Sequence, residues 1–488
     1  MKKLLYNYLA QAFSGIIAIV MIPQFIRHLG TESYGLIAFN STAMAVFFIL
    51  DSGVSATAVK KIAQYRAGVI TDRSLVEHLT NLEKMFMALG VLGGFVFFMS
   101  ADVIINKWVV EGSLGVTIIS KSLWLISAIV LLRWMFMYYR AILIGYERIF
   151  FISTLVVVSS FFKYIGVIFY LTFFDYGIIH FFYYQLSLHA IELLIVFLVS
   201  RSLTPITQES WWKLNFKSAA ETLRFTYQIG VVSVLWVLLS QSDRVITSVF
   251  LSLENYGKYM MAALAASVIT YFNSGFYNVM LPRITILFES NKIDQCRATY
   301  LGYTVFYVVL LVPIASMGIF NAQTIFDVWT GGDKTDTWMI DVFKLLLLGN
   351  LYVPLLSFSY VIQYAAGDVR ISKRINTLIT MLLPVSMIGM YHIFGEVGIA
   401  VMWPLFIVSA SFIGSYLTHN AYLKDTNRFW LAGILVPGYF AGALGSFIFS
   451  TDITGVNGIT GLLLSYTFSV IFILIALNLK LRFATRLW

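Results

Sequence analysis

The chain has 488 residues, 59% of them hydrophobic and 12% charged, and a formal net charge of +9. Its mean hydropathy is +0.83. A soluble domain carries about 25% charged residues, so this composition excludes an ordinary water-soluble enzyme, and the basic excess needs no nucleic acid to explain it. A single cysteine, Cys296, excludes an intramolecular disulfide and a thiolate metal site.

About fourteen apolar stretches are long enough to cross a hydrocarbon core of about 30 Å. They lie near 4–26, 34–57, 81–101, 118–140, 150–172, 178–200, 225–248, 258–281, 299–320, 340–363, 375–394, 397–419, 430–450 and 456–479. The first contains Pro23 and is long for a cleaved signal, so it is expected to be retained. With Met1 in the cytoplasm, about 24 basic residues fall on the inner side and about 7 on the outer, the bias that sets orientation. Both termini are then cytoplasmic, and the basic inner face favours contact with anionic lipid. Arg133 and Lys163 fall inside spans. The fold class is therefore all-α: a polytopic membrane protein.

No loop is long enough for a soluble domain. The longest inner one carries Trp211, Trp212, Lys213, Phe216 and Lys217 and is expected to lie in the interface as an amphipathic linker. Six of the eight prolines fall inside spans: Pro23, Pro313, Pro354, Pro384, Pro404 and Pro437. Each removes a helix hydrogen bond and favours a kink.

Glu32-Ser33-Tyr34-Gly35 recurs as Glu254-Asn255-Tyr256-Gly257. Ser52-Gly53 and Ser274-Gly275 follow at the same spacing, Asp51 aligns with Asn273, and Lys61 with Arg283. The common offset of about 222 residues spans six helices, so the copies share one orientation, a parallel repeat. The expected organisation is two six-helix bundles, 1–200 and 225–419, around a central cavity. They are joined by the linker 201–224 and followed by two extra helices and a tail over 430–488.

The first helix ends in Pro23-Gln24-Phe25-Ile26-Arg27-His28-Leu29-Gly30. Glu32, Tyr34-Gly35-Leu36 and Leu50-Asp51-Ser52-Gly53-Val54-Ser55 follow, and Asp243-Arg244-Val245-Ile246 precedes Tyr256-Gly257. This pattern resembles the Wzx-type polysaccharide-exporting flippases of the multidrug/oligosaccharidyl-lipid/polysaccharide (MOP) superfamily. The resemblance implies alternating access and transfer of an undecaprenyl-pyrophosphate-linked oligosaccharide, an O-antigen unit, to the periplasmic leaflet of the bacterial inner membrane. It implies no cofactor. The implied partners are the lipid-linked sugar, membrane lipids, and the polymerase and chain-length regulator of the same pathway.

A charge at the bilayer centre costs a few kcal/mol, so charges within spans are the candidate site. Lys163 is mid-span, with Ser159 and Ser160 one turn before it. Arg133 is inside the fourth span, and Arg140 two turns later is expected at the loop edge. Arg133 and Lys163 suit a pyrophosphate or an anionic sugar. Gln185, His189 and Glu192 form one polar face of the sixth span. Glu192 is expected to pair with Lys163 or Arg133, and the other reading has it take up a proton beside His189. Asp51 is expected at a helix contact or an inner gate. Arg27, and Arg244 beside Asp243, sit at outer helix ends. They are expected to guide the headgroup out, to latch an outer gate, or to snorkel to the interface. Phe161, Phe162, Tyr164, Tyr183 and Tyr184 cluster near these charges, where rings could stack on sugars or pack as core.

The sequence lacks a GxxxxGK[ST] phosphate loop and an HExxH motif, so the expectation is a transporter with no catalytic or metal residues. The competing readings are a lipid II flippase, an ion-coupled drug or metabolite antiporter of the same superfamily, and a polysaccharide polymerase or ligase. One antiporter branch carries an acidic residue in its first helix, which this chain lacks. A polymerase should show a long outer loop with Arg or His; the longest outer stretch, around Asp327 to Asp341, is short and mostly acidic.

Overall fold

A computed structural model describes residues 2–51, 54–111, 114–205, 238–331, 336–456 and 458–484, and among these every regular element is helical. Among the described residues, ten helices are long and apolar enough to cross a membrane, and they coincide with ten of the fourteen expected spans. The span at 34–57 is covered by α2 (Thr31–Asp51) and α3 (Val54–Arg66), with residues 52 and 53 outside the described ones. The span at 81–101 lies inside the 40-residue α4 (Asp72–Glu111), about 60 Å long at 1.5 Å per residue and so twice a bilayer core. The start of the span at 225–248, like most of the expected linker, lies outside the described residues. The span at 258–281 is broken: α9 (Leu253–Ser267) passes through a 3-10 turn, Val268–Thr270, into α10 (Tyr271–Glu289).

The chain divides into two compact units, Met1–Lys258 and Tyr259–Trp488. The first holds α1 (Lys2–Leu29), α2 to α4, α5 (Val116–Gly145), α6 (Ile149–Ser160), α7 (Val167–Phe174) and α8 (Ile178–Leu203). Between α6 and α7 the helix continues as a π-helical turn, Phe161–Gly166. At the centre is α5, which packs against α2, α3, α4 and α8. Its aromatic donors end on α4 carbonyls: Trp134 Nε1–H donates to Phe86 O at 2.7 Å, and Tyr138 OH to Leu79 O at 2.7 Å. Trp134 also stacks on Phe86, with centroids 4.1 Å apart. Gly90 makes room, since a Cβ there would meet the indole at 2.8 Å. Buried Trp and Tyr carry polar atoms that need partners, and these bonds fix the α4–α5 register.

The repeated motif meets itself inside this unit. A Cβ on Gly35 would fall 2.4 Å from Leu253 O, and one on Gly257 would fall 2.7 Å from Thr31 O. The two copies thus cross with backbone against backbone, the approach that glycine permits between membrane helices. Tyr256 OH and Thr42 Oγ1, 2.7 Å apart, close the contact.

The second unit holds α10, α11 (Ile293–Phe320), α12 (Ala322–Thr330), α13 (Thr337–Ala365), α14 (Arg370–Phe394), α15 (Glu396–Tyr422), α16 (Val436–Ile448) and α17 (Gly458–Ala484). Of the candidate spans, α13 is the most buried. It is tied to α15 by Ser359–Ser415 and Gln363–Thr418, both at 2.8 Å. The last two spans pack on α11. Gly438 and Gly442 sit against Val308 and Val312, and Gly445 against the Ser469 backbone. Polar groups in an apolar medium must find partners inside the protein, and Ser469 Oγ accordingly donates to Gly442 O at 2.9 Å. Of the prolines, Pro282 also falls within a helix, α10. Pro437 lies at the start of α16, directly after a π-helical turn, Phe429–Leu435, where its missing N–H breaks regular α bonding.

Candidate functional site

Three helices of the first unit place charged side chains around one carboxylate. Glu192 projects from α8 and is 4% exposed. Its Oε1 lies 2.8 Å from Lys163 Nζ, and its Oε2 lies 3.4 Å from Arg133 Nη1 on α5. His189, one turn earlier on α8, approaches Oε2 with Nδ1 at 2.7 Å. A carboxylate only accepts, so the His189 proton sits on Nδ1 and donates. Arg133 also lies over the Phe136 ring, 4.8 Å from its centroid, which adds cation–π attraction.

Lys163 occupies the π-helical turn. That turn is wider than an α turn and leaves carbonyls for outside donors. Both donors come from α8: Tyr184 OH donates to Phe162 O at 3.2 Å, and Gln185 Nε2 donates to Lys163 O at 2.9 Å. Just before the turn, Ser160 Oγ donates to Ser14 Oγ of α1 at 2.7 Å. The helix carrying Lys163 is therefore pinned from both sides.

These residues line a cavity of about 440 Å³ within the first unit. Arg133, Arg140, Lys163, His189 and Glu192 form its charged wall, and Ser14, Asn40, Ser41 and Gln185 a neutral polar one. Arg133, Arg140 and Lys163 thus share the cavity wall with one carboxylate, Glu192. Burying a charge is costly, and Glu192 offsets that cost for Arg133 and Lys163. The arrangement suits a ligand bearing at least one anionic oxygen group together with hydroxyls.

Other candidates lie elsewhere. Arg27 is exposed in the last turn of α1, where its charge complements the helix terminus. Arg244 bonds Gln241 at 3.3 Å, and Asp243 is buried beside it. Neither Arg27, Arg244 nor Asp243 lines the cavity. The Asp51 side chain is outside the described ones. Arg140, expected at a loop edge, instead lines the cavity, because the cavity extends two turns along α5 from Arg133.

A second buried ionic group was not singled out from the sequence. Glu83 on α4 is 1% exposed, accepts from Tyr139 OH at 2.6 Å, and pairs with Arg201 Nη2 at 2.5 Å. Its signal was present: Glu83 falls within the expected third span, where a carboxylate is a candidate by default.

The fold and this cavity define a polytopic, all-helical membrane protein with a cationic chamber in its N-terminal unit. The family described as "Polysaccharide biosynthesis protein" matches residues 1–288, more than half the chain, and the protein belongs to that family. No curated protein matches the sequence. Among solved structures, an inward closed conformation of the lipid II flippase MurJ is similar at a TM-score of 0.72 and 15% identity, covering 99% of this chain and 100% of that one. An inward-facing multidrug resistance MATE family transporter of the MOP superfamily gives 0.64 and 13%, covering 84% and 94%. A Vibrio cholerae MATE transporter gives 0.56 and 14%, covering 87% and 98%. At these identities the likeness establishes the fold.

Proposed function

We propose that this protein flips an undecaprenyl-pyrophosphate-linked oligosaccharide, an O-antigen-type repeat unit, from the cytoplasmic to the periplasmic leaflet by alternating access. The protein works in the bacterial inner membrane, with both termini cytoplasmic, and acts as a transporter with no catalytic step. The observation that carries the reading is the buried cluster of Arg133, Lys163 and Glu192 facing a polar cavity in a member of a polysaccharide biosynthesis family. In this reading Arg133 offers two parallel donors to a phosphate and Lys163 a point charge. An incoming pyrophosphate takes the place of Glu192 as their counter-charge. The serines, Asn40 and Gln185 face the sugar. Arg27 and Arg244, outside the cavity, are left to the exit path or the interface. The polymerase and chain-length regulator of the pathway would receive the product.

A second reading, a lipid II flippase, is favoured by one observation: the full-length fold match to MurJ. Both substrates present a polyprenyl pyrophosphate, so the cationic wall serves either. A panel of lipid-linked substrates in proteoliposomes, read by accessibility in the opposite leaflet, tests the proposal. Transport of an O-antigen-type unit in preference to lipid II supports the first reading, and the reverse preference supports the second. Transport of neither, with drug efflux present, would replace both with an antiporter.

A further inference from the structure

The π-helical turn that carries Lys163 is held by α8, and the bonding shows how. In an α-helix the Val167 amide would bond the carbonyl four residues back, Lys163 O. Here that carbonyl accepts from Gln185 Nε2 at 2.9 Å. The Val167 amide bonds Phe162 O instead, five residues back. Phe162 O takes a second donor, Tyr184 OH, at 3.2 Å. Gly166 leaves room for that phenol, since a Cβ there would fall 2.7 Å from Tyr184 Oη. Two adjacent α8 side chains therefore occupy two adjacent carbonyls of the turn. Gln185 is buried and lines the same cavity.

We propose that Gln185 and Tyr184 are positioning residues: they hold Phe161–Gly166 in π bonding and so aim Lys163 into the cavity at Glu192. Without them the Val167 amide recaptures Lys163 O. The turn tightens to α-helix, and its register shifts by up to one residue, a rotation of about 100°. Ser159 and Ser160 precede the turn, so their placement does not depend on it. The consequence for transport rests on the flippase reading above, whereas the placement of Lys163 does not.

Cysteine labelling tests this independently of transport. Cys296 is the only cysteine and is fully buried, so Cys296→Ala gives a cysteine-free background. Lys163→Cys or Ser159→Cys is introduced there, and the rate of modification by an anionic methanethiosulfonate is measured in membranes. Gln185→Ala is expected to slow modification at position 163 at least ten-fold and to leave position 159 unchanged. Tyr184→Phe, a milder change that keeps the fold if Gln185→Ala does not, is expected to slow position 163 alone by several-fold. An equal or faster rate at 163 in both variants overturns the proposal. A parallel fall at 159 and 163 also overturns it, because the cavity as a whole would then have changed. If the flippase reading fails instead, the wild type moves no lipid-linked sugar while this labelling pattern persists.

Discussion

Lys163 Nζ and Glu192 Oε1 are 2.8 Å apart, and the other oxygen of the same carboxylate reaches Arg133. One buried anion thus holds two cations from two different helices, with His189 as a third donor. Replacing Glu192 by Gln leaves both cations without a counter-charge, and breaking a buried pair this way costs about 3–5 kcal/mol. Thermal unfolding in detergent should show Glu192→Gln clearly less stable than wild type. The double variant Glu192→Gln with Lys163→Met should recover part of the loss, because one buried charge leaves with its partner. Equal stability of Glu192→Gln and wild type would mean that the carboxylate is not the anchor of the cluster.

Glu83 and Arg201 make the parallel case without lining the cavity. Arg201→Ala should destabilise by about 3–5 kcal/mol, since Glu83 is left buried and charged. Tyr139→Phe removes one hydrogen bond to that carboxylate and should cost about 1.5–3 kcal/mol. The midpoints of thermal unfolding order the variants. If Tyr139→Phe proves the more damaging, the ion pair is not the main tie between α4 and α8.

The crossing of Gly35 and Gly257 predicts a sharp contrast among glycines. A methyl at either position lands on backbone oxygen, at 2.4 Å and 2.7 Å, and backbone cannot step aside like a side chain. Gly35→Ala and Gly257→Ala should each lower stability and folded yield. Gly302→Ala in α11 meets nothing within 4 Å and should be neutral or stabilising by up to about 1 kcal/mol, the helix preference for alanine over glycine. Folded yield after purification compares the three, and three similar yields would show the crossing to be loose.

Much of the site was legible because a charge in an apolar run stands out. Arg133, Lys163, His189 and Glu192 each interrupt a hydrophobic segment, and burial in lipid forces such groups to find one another. Glu83 was missed because it sits among Thr80, Asn81 and Lys84, a polar stretch that looks like a span end. Its partner Arg201 looks like a loop cation for the same reason. The π turn left no trace in the pattern, because Phe161–Gly166 is apolar on nearly every face and hydrophobic periodicity cannot tell π from α there. The break between α9 and α10 was equally silent. The spacing of the repeat aligned Gly35 with Gly257, yet their mutual contact needed coordinates.

The measurement that tests the central claim most directly is the initial rate of flipping in proteoliposomes for wild type and Lys163→Ala at matched protein density. The substrate is an undecaprenyl-pyrophosphate oligosaccharide that the wild type moves. Losing a charge-assisted contact to the pyrophosphate costs about 1.5–3 kcal/mol, so at subsaturating substrate the variant should be about ten-fold to a hundred-fold slower while remaining folded. A folded Lys163→Ala protein that flips at the wild-type rate would contradict the account and remove the cationic cluster from the transport path.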